Sequence, residues 1–402
     1  MVTLADIKAA RGLIGDALYL SPCRFSESFS QISGVRVFFK FDNLQRTGAF
    51  KERGALHKLL SLTDAERAQG VIAASAGNHA QGLACHAGRL GIRAVIYMPL
   101  TTPLTKVSAT RAYGAEVVLH GTNYDEAFDE ATQRSRRDRL TFVHAFDDDA
   151  VIAGQGTIGL EVLEQQPTLD AVVVPIGGGG LIGGIACAIK STRPEVKVFG
   201  VQPASLPSMQ AALAHGAPVT IPAATTIADG IAVRRSGERT VPLVKQYVDD
   251  IVTVSDEEVA NAILLLLERE KTLAEGAGAA ATAAVINRKL PLEGKNVVVL
   301  VCGGNIDVTL LSRIIERGLV KDGRLLRLRV HLPDYPGALH RLTGILADSR
   351  ANIVETAYDR THHGVRLGQT AIDITLETRG PDHIAELLGV LAAAGYSHER
   401  VL

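Results

Sequence analysis

The chain has 402 residues, of which 47% are hydrophobic and 21% charged, and its formal net charge is −1. This length allows more than one domain, and the composition is that of an ordinary water-soluble globular protein with a sizeable core. A charge this close to zero gives no electrostatic footprint for nucleic acid or an anionic membrane surface, so neither is expected as a partner.

The cysteines and the first residues indicate in which cellular compartment the protein is expected. Four cysteines, Cys23, Cys85, Cys187 and Cys302, lie far apart and form no Cys-x-x-Cys pair. The first residues lack the apolar core of a signal peptide, and no stretch supplies the roughly 20 uninterrupted apolar residues of a spanning helix. We therefore expect a cytoplasmic protein in a reducing environment.

Short β-rich runs alternate with amphipathic helical patterns through most of the chain. The near-continuous apolar runs lie at 71–74, 94–97, 171–174 and 297–301. Such runs are typical of parallel strands that are covered on both faces. Capping boxes, Thr63 with Glu66 and Ser255 with Glu258, mark the starts of intervening helices. The pattern predicts an α/β fold with parallel sheets.

The pattern changes after the polar, glycine-containing stretch 318–323, where we place a boundary between a region over 1–320 and another over 324–402. Beyond it, apolar and polar residues alternate as in strands, and apolar residues then recur at helical spacing. The strand patterns lie at 326–332, 353–358 and 372–376, and the helical patterns at 339–346 and 384–391. The order is βαββα, which a last strand from Tyr396 would complete as βαββαβ.

Lys51 is the first candidate for chemistry. It follows Phe50 and precedes a helical pattern. A lysine that attacks a carbonyl must be unprotonated, which requires partial desolvation, and Phe50 is a candidate to pack against a flat cofactor. A lysine after a phenylalanine is by itself common and is more often a surface residue, so the other motifs decide its interpretation.

The run 75–82 follows an apolar strand and precedes a helical pattern, so its backbone N–H groups should form an anion site at a helix amino terminus. The candidate substrate-binding residues are Ser75, Ala76, Gly77, Asn78 and His79. A substrate carboxylate fits this site, with Ser75 as an extra donor and the Asn78 amide available to a phenolic oxygen. The alternative is a plain strand-to-helix turn that Asn78 caps.

Four glycines, Gly177, Gly178, Gly179 and Gly180, follow a strand pattern and open a small-residue helix at Leu181. A backbone of this kind can wrap around a phosphate at the positive end of the helix dipole. A dinucleotide site would also need an acidic residue after the second strand, and Gln202 stands there instead. We therefore favour a single phosphate.

Cys302 follows the strand pattern 297–301 and opens the turn Cys-Gly-Gly-Asn, where its side chain can face a ligand. The alternative is a small buried apolar residue. Thr47, Arg53 and Glu275 are candidates for supporting groups. The histidines show no metal-ligand spacing, and no metal is expected.

Together these motifs resemble the pyridoxal-phosphate enzymes of the tryptophan-synthase β fold type, most closely the threonine and serine ammonia-lyases. The resemblance covers roughly residues 5–320 and includes 226–233 and 275–280. It implies fold type II, with a small lobe at roughly 44–147 inserted in a large one, and a homodimer or homotetramer.

The resemblance also implies roles for the candidate residues. Lys51 would hold pyridoxal phosphate covalently and act in catalysis, and Phe50 would pack against its ring. Asn78 would bind the ring hydroxyl, Gly177 to Gly180 with Leu181 the phosphate, and Cys302 the pyridine nitrogen. The implied reaction is β-elimination of L-threonine to 2-oxobutanoate and ammonia, with L-serine as a slower substrate that gives pyruvate.

Three segments depart from the family pattern. Ala49 replaces a usual serine, and Ala76 stands where related racemases carry a serine that protonates the opposite face of Cα. Segment 202–208 lacks the acidic residues with which those racemases bind a divalent cation. Ala76 therefore disfavours racemisation, and we expect no such cation. A serine-preferring dehydratase or racemase, and an inactive amino-acid sensor, remain as alternatives, and a nicotinamide dehydrogenase is the weakest.

The unit from about residue 325 resembles an ACT domain, a small βαββαβ ligand-sensing module, through its turn at 334–339. The resemblance implies allosteric regulation by an amino-acid effector such as isoleucine or valine, bound near Gly337 and Asn352. The alternative is a simple dimerisation module. A role in isoleucine biosynthesis or in threonine breakdown is left open, as is the sign of the effector.

Overall fold

Residues 1–359 and 368–401 of the chain are described by a computed structural model. The chain divides into two compact units, Met1–Asp307 and Val308–Leu402. The helix at Val308–Lys321 lies in the second unit, although the sequence assigned it to the first region, and the domain assignment itself stays a prediction. Within the described residues, no helix has both the length and the apolar character needed to cross a membrane.

Fourteen strands are present in the described part of the chain. They are β1 (Cys23–Ser26), β2 (Arg36–Phe41), β3 (Val71–Ala74), β4 (Ala94–Met98), β5 (Glu116–Leu119), β6 (Thr141–Phe142), β7 (Ala171–Pro175), β8 (Lys197–Pro203), β9 (Asp250–Val254), β10 (Asn296–Val301), β11 (Leu325–Pro333), β12 (Asn352–Asp359), β13 (Gln369–Glu377) and β14 (Ser397–Arg400).

Sixteen α-helices accompany them over the same residues. They are α1 (Leu4–Ile14), α2 (Glu27–Ser33), α3 (Lys51–Leu60), α4 (Asp64–Gln69), α5 (Asn78–Arg89), α6 (Leu104–Ala112), α7 (Tyr124–Asp138), α8 (Asp149–Gln165), α9 (Gly180–Thr192), α10 (Ser208–His215), α11 (Thr240–Tyr247), α12 (Asp256–Leu265), α13 (Gly276–Ile286), α14 (Val308–Lys321), α15 (Ala338–Asp348) and α16 (Pro381–Ala393). Both predicted capping boxes, at the starts of α4 and α12, are formed.

The first unit contains two sheets. The larger has the order β1-β2-β10-β7-β8-β9, and all its neighbours are parallel except β1 and β2. The smaller has the order β5-β4-β3-β6 and is entirely parallel. We call the sheets with their helices the large lobe and the small lobe. The strands of the small lobe all lie between β2 and β7 in the chain, and the predicted α/β fold with two parallel-sheet lobes is confirmed.

Apolar strands explain the cores of both lobes. Strands β3, β4 and β7 are buried at every residue, as parallel strands between layers of helices must be. Helix α3 packs Ala55 and Leu59 into the core of the small lobe, whereas the preceding residue Phe50 belongs to the core of the large lobe. Lys51 therefore begins a helix at the junction of the two cores.

The second unit is an α+β structure. Its antiparallel sheet has the order β12-β13-β11-β14, and the element order after α14 is βαββαβ, as predicted. In β11 the apolar residues Leu326, Leu328, Val330 and Leu332 are buried and alternate with partly exposed ones. Such alternation is expected of a sheet with one covered face.

Candidate active site

The predicted motifs lie at the carboxyl ends of parallel strands. Gly177 follows β7 and Cys302 follows β10, and these two strands are neighbours in the large sheet. Ser75 follows β3 in the small sheet. Ligands of open α/β folds bind at this edge because the loops there converge above the sheet.

The segment before Lys51 is tied to the end of β10. The Phe50 N–H donates to the Cys302 carbonyl at 2.9 Å, and the Gly304 N–H donates to the Gly48 carbonyl at 2.8 Å. Gly48 has a φ of +74°, and a Cβ there would lie 2.5 Å from Asn305 Oδ1, so glycine is required. These bonds fix where α3 begins and thereby place Lys51.

The Lys51 amine is held inside the protein. Its Nζ donates to the Ala145 carbonyl at 2.7 Å and lies 5.2 Å from the centroid of the Phe50 ring. Burial lowers the pKa of Lys51 to about 8, against the opposing effect of Cys302 and Glu275. A much larger share of this amine is unprotonated near neutral pH than of an exposed lysine.

Helix α5 presents an open amino terminus. The Gly77 N–H donates to Ser75 Oγ at 3.2 Å, and Asn78 is the first helical residue. A Cβ on Gly77 would meet no atom within 4 Å, so space remains in front of the helix. The N–H groups of a first turn have no partner in the helix, and this terminus can therefore receive an anion.

Ala76 and His79 both contact the small lobe. Ala76 packs against its core, and His79 is 2% exposed. His79 Nε2 donates to the Val143 carbonyl at 2.9 Å, and burial lowers the pKa of His79 to about 3. The imidazole is neutral, and His79 adds its backbone N–H to the terminus of α5.

Asn78 is oriented by two side chains. Its Nδ2 donates to Glu275 Oε1 at 2.7 Å, and its Oδ1 accepts from Asn305 Nδ2 at 2.9 Å. Asn305 Nδ2 also donates to the Thr47 carbonyl at 2.7 Å. Burial, with Asp229 nearby, raises the pKa of Glu275 to about 7. Asn305 was not predicted as a site residue, although it ends the Cys-Gly-Gly-Asn turn that follows β10.

Phe146 and Thr240 pack closely against the glycine loop, Gly177 to Gly180. A Cβ on Gly178 would lie 2.3 Å from the Phe146 ring, and one on Gly180 would lie 2.6 Å from the Phe146 carbonyl. Gly179 has a φ of +98°, and Thr240 Oγ1 donates to the Gly178 carbonyl at 2.6 Å. Gly180 begins α9, and the side chain of Leu181 is buried in the core of the large lobe. The N–H groups at the start of α9 remain available for an anion.

Cys302 is 2% exposed, and its Sγ donates to the Ala277 carbonyl at 3.6 Å. Burial raises the pKa of this thiol well above its ordinary value, with a further contribution from Glu275. Cys302 is therefore a neutral thiol at physiological pH.

Arg53 belongs to a buried ion network. Its guanidinium binds both carboxylate oxygens of Asp42, at 2.7 and 2.9 Å, and both of Glu161, at 2.5 and 2.9 Å. Lys40 Nζ donates to Glu161 Oε2 at 2.6 Å. All the nitrogens of this guanidinium have partners in the network, and Arg53 supports the helix that begins with Lys51.

The residues present fit the cofactor that the sequence implies. Pyridoxal phosphate needs an unprotonated amine, a phosphate site and partners for its hydroxyl and ring nitrogen. Lys51 has a lowered pKa, α9 begins with a glycine loop, and Cys302 is a neutral thiol. The Asn78 amide carries two hydrogens, and its bond to Glu275 uses one of them.

Comparison with known proteins gives the family. A family profile described as "Pyridoxal-phosphate dependent enzyme" matches residues 14–303. The chain is 48% identical over 396 residues to the L-threonine ammonia-lyase of Thermotoga maritima, covering 98% of each chain, and 51% identical over 372 residues to that of Geobacter sulfurreducens, covering 92% of each. Among solved structures, the processed form of threonine deaminase isoform 2 from Solanum lycopersicum is similar with a TM-score of 0.75 and 38% identity, covering 78% of this chain and 86% of that one. The chain thus belongs to the pyridoxal-phosphate dependent enzymes.

Proposed function

We propose that this protein is a threonine ammonia-lyase, which converts L-threonine to 2-oxobutanoate and ammonia by β-elimination and accepts L-serine more slowly. The observation that carries the proposal is the position of the Lys51 amine, which is buried at the junction of the two lobes and has a pKa of about 8. The two L-threonine ammonia-lyases named above match this chain at 48% and 51% identity over almost its whole length.

Four groups would hold the cofactor. Gly177 to Gly180 and the start of α9 take its phosphate, and the free amide hydrogen of Asn78 takes its hydroxyl. Cys302 faces its pyridine nitrogen, and Phe50 packs against its ring. Pyridoxal phosphate, when bound, supplies a carbonyl that condenses with amines and a ring system that withdraws electrons from Cα.

Lys51 has two tasks in this proposal. It would hold the cofactor in the resting enzyme, and its unprotonated Nζ would be the base that removes the proton from Cα of a bound substrate. A base works best with a pKa near the operating pH, and burial brings Lys51 close to that condition. The neutral thiol of Cys302 would not keep the pyridine nitrogen protonated, which would limit electron withdrawal by the ring and favour loss of the β-hydroxyl over other outcomes.

The start of α5 would bind the substrate carboxylate. The N–H groups around Gly77 and Asn78 and the Ser75 hydroxyl are the donors, in front of which the structure leaves open space. Fixing the carboxylate there orients Cα toward the Lys51 amine. Ala76 carries no group that could protonate the opposite face of Cα, so we expect elimination without racemisation.

The second unit would regulate the enzyme. Its βαββαβ order and antiparallel sheet support an ACT-like module, in which Gly337 begins the turn into α15 with a φ of +89° and Asn352 begins β12. We infer that an amino-acid effector binds near these two residues, in a homodimer or homotetramer. Isothermal titration of wild type and Asn352→Ala with L-isoleucine and L-valine tests this role. Wild type that binds neither amino acid would refute it.

One experiment decides the catalytic proposal. Purified wild type should show cofactor absorbance and release 2-oxobutanoate from L-threonine, and Lys51→Ala should release none. The matched control is Lys58→Ala, on the same helix, where the lysine pairs with Asp148 outside the site. Wild type that carries the cofactor but releases no keto acid from threonine or serine would refute the lyase and favour the amino-acid sensor.

A further inference from the structure

A short segment connects the Lys51 amine to the glycine loop. We call residues 144–147, between β6 and α8, the strap. The Ala145 carbonyl accepts from Lys51 Nζ at 2.7 Å, and the ring of the next residue, Phe146, lies against Gly178. The strap thus contacts both groups that the proposed function assigns to the cofactor.

The far end of the strap is anchored to the large lobe. The Asp147 carboxylate accepts from the N–H groups of Glu238 and Arg239 at 3.1 and 2.8 Å. In the next residue, Thr240, Oγ1 donates to the Gly178 carbonyl at 2.6 Å. A displacement of the strap would therefore reach the glycine loop from two sides.

The conformation of the strap depends on His144. Its Nδ1 accepts from the N–H groups of Phe146 and Asp147 at 3.2 and 2.9 Å. Its ring meets the Phe146 ring edge to face, with centroids 4.6 Å apart and an interplanar angle of 87°. Because Nδ1 accepts, the imidazole is neutral with its proton on Nε2. Burial lowers the pKa of His144, which also favours the neutral form.

We propose that His144 is a positioning residue, whose Nδ1 folds the strap into the turn that presents the Ala145 carbonyl to Lys51 and the Phe146 ring to Gly178. The inference rests on the proposed function, because the amine and the loop matter together only if both hold the cofactor. His144 acts through Ala145 and Phe146, and its loss should impair both groups at once.

The expected consequence for Lys51 follows from desolvation. The groups that face its amine are the Cys302 thiol, the Glu275 carboxyl and the imidazoles of His79 and His144. If the strap loosens, water gains access to Nζ, and the desolvation that lowers the pKa of Lys51 is partly relieved. The pKa of Lys51 should then rise from about 8 toward that of an exposed lysine.

Three variants separate the acceptor from the ring. His144→Phe keeps the aromatic contact and removes the acceptor, whereas His144→Asn restores a side-chain oxygen that can accept the same backbone N–H groups, as in an Asx turn. His120→Phe is the matched control, since His120 is exposed and meets the Tyr97 ring edge to face outside the strap. If His144→Phe does not fold, His144→Ala replaces it with the same expectations.

Two measurements on the apo-protein need no turnover. The first is the acetylation rate of Lys51 against pH, read by peptide mass spectrometry, and the second is the dissociation constant of pyridoxal phosphate, read by fluorescence. We expect His144→Phe to raise the acetylation midpoint by about one pH unit and to weaken cofactor binding about tenfold, as the loss of two hydrogen bonds predicts. His144→Asn and His120→Phe should stay within about threefold of wild type.

Two results would overturn the proposal. One is a His144→Phe protein whose Lys51 midpoint and cofactor affinity equal those of wild type. The other is a His144→Asn protein as impaired as His144→Phe, since the acceptor would then not be what matters. Release of 2-oxobutanoate by the unaltered protein tests the proposed function separately, so the two failures are distinguishable.

Discussion

The side-chain amide of Asn78, at the start of α5 in the small lobe, donates to Glu275 Oε1, before α13 in the large lobe, at 2.7 Å. Gly303 lies beside this bond, and a Cβ there would be 2.3 Å from Glu275 Oε1. The bond joins the two lobes at the edge where the proposed active site lies. Its acceptor is a carboxyl whose pKa is raised to about 7.

Glu275 should make stability depend on pH. In the unfolded chain its carboxyl ionises near 4.5, whereas burial moves the pKa to about 7 in the folded protein. The stabilisation is therefore fully present at pH values below 4.5 and is lost as the pH rises through 7. Between those limits wild type should lose about 3 kcal/mol of unfolding free energy relative to Glu275→Gln in urea titrations of the apo-protein.

The control for this prediction is Glu386→Gln, at an exposed position of α16. The difference in unfolding free energy between this variant and wild type should change little over the same pH range. A wild-type stability that runs parallel to that of Glu275→Gln from acid to neutral pH would contradict the prediction.

Gly178→Ala should damage the glycine loop. The added methyl would lie 2.3 Å from the Phe146 ring, so the ring or the loop must move. Overpacking of this kind costs about 1–3 kcal/mol, and cofactor affinity should fall at least about tenfold. Gly183→Ala, on the helix that follows, is the control, because its methyl would lie 3.4 Å from Leu243, an ordinary contact. Fluorescence titration with pyridoxal phosphate compares the two, and equal affinities would speak against the phosphate assignment.

Arg53→Met should destabilise the protein strongly. It would remove the guanidinium that pairs with the buried carboxylates of Asp42 and Glu161. Removal of one partner from a buried ion pair costs about 3–5 kcal/mol. Arg93→Met, which breaks an exposed pair with Glu116, should cost about 0–1 kcal/mol. Urea unfolding measures both, and a small loss for Arg53→Met would show that water reaches the network.

Ser75→Ala should weaken substrate binding. The hydroxyl orders the turn by accepting the Gly77 N–H, and we expect it to contact the substrate carboxylate. Loss of one such hydrogen bond should raise the KM for L-threonine about five- to tenfold with a smaller change in kcat. Ser61→Ala, at the end of α3, is the control, because its hydroxyl only caps the Lys58 carbonyl. An unchanged KM would move the carboxylate site away from α5.

The strands and helix starts were predictable because they depend on local pattern. Apolar runs such as Val172 to Val174 admit few alternatives to a buried parallel strand, and Thr63 with Glu66 signals a helix start within four residues. The order of motifs also pointed to the proposed site, since Ser75, Gly177 and Cys302 each come just after a parallel strand, where ligands of such folds bind.

The remaining features depend on contacts between distant parts of the chain. Lys40 is fully buried because Glu161, 121 residues away, binds its amine, and a lone lysine in a strand gives no hint of that partner. His144 shows no metal-ligand spacing in the sequence, and its acceptor role is local, to N–H groups two and three residues ahead, but what the strap then contacts lies in distant parts of the chain. Helix α14 was assigned to the first region because its own pattern does not reveal which unit it accompanies.

The hydrogen bonds between segments 48–50 and 302–304 also bear on the order in which the protein folds. Strand β10 lies between β2 and β7, so the central part of the large sheet stays incomplete until about residue 301 has been synthesised. The small lobe, with strands from 71 to 142, can form earlier, because its contacts are closer in sequence. The hydrogen bonds that fix the segment before Lys51 to the end of β10 therefore form only after this strand has been synthesised.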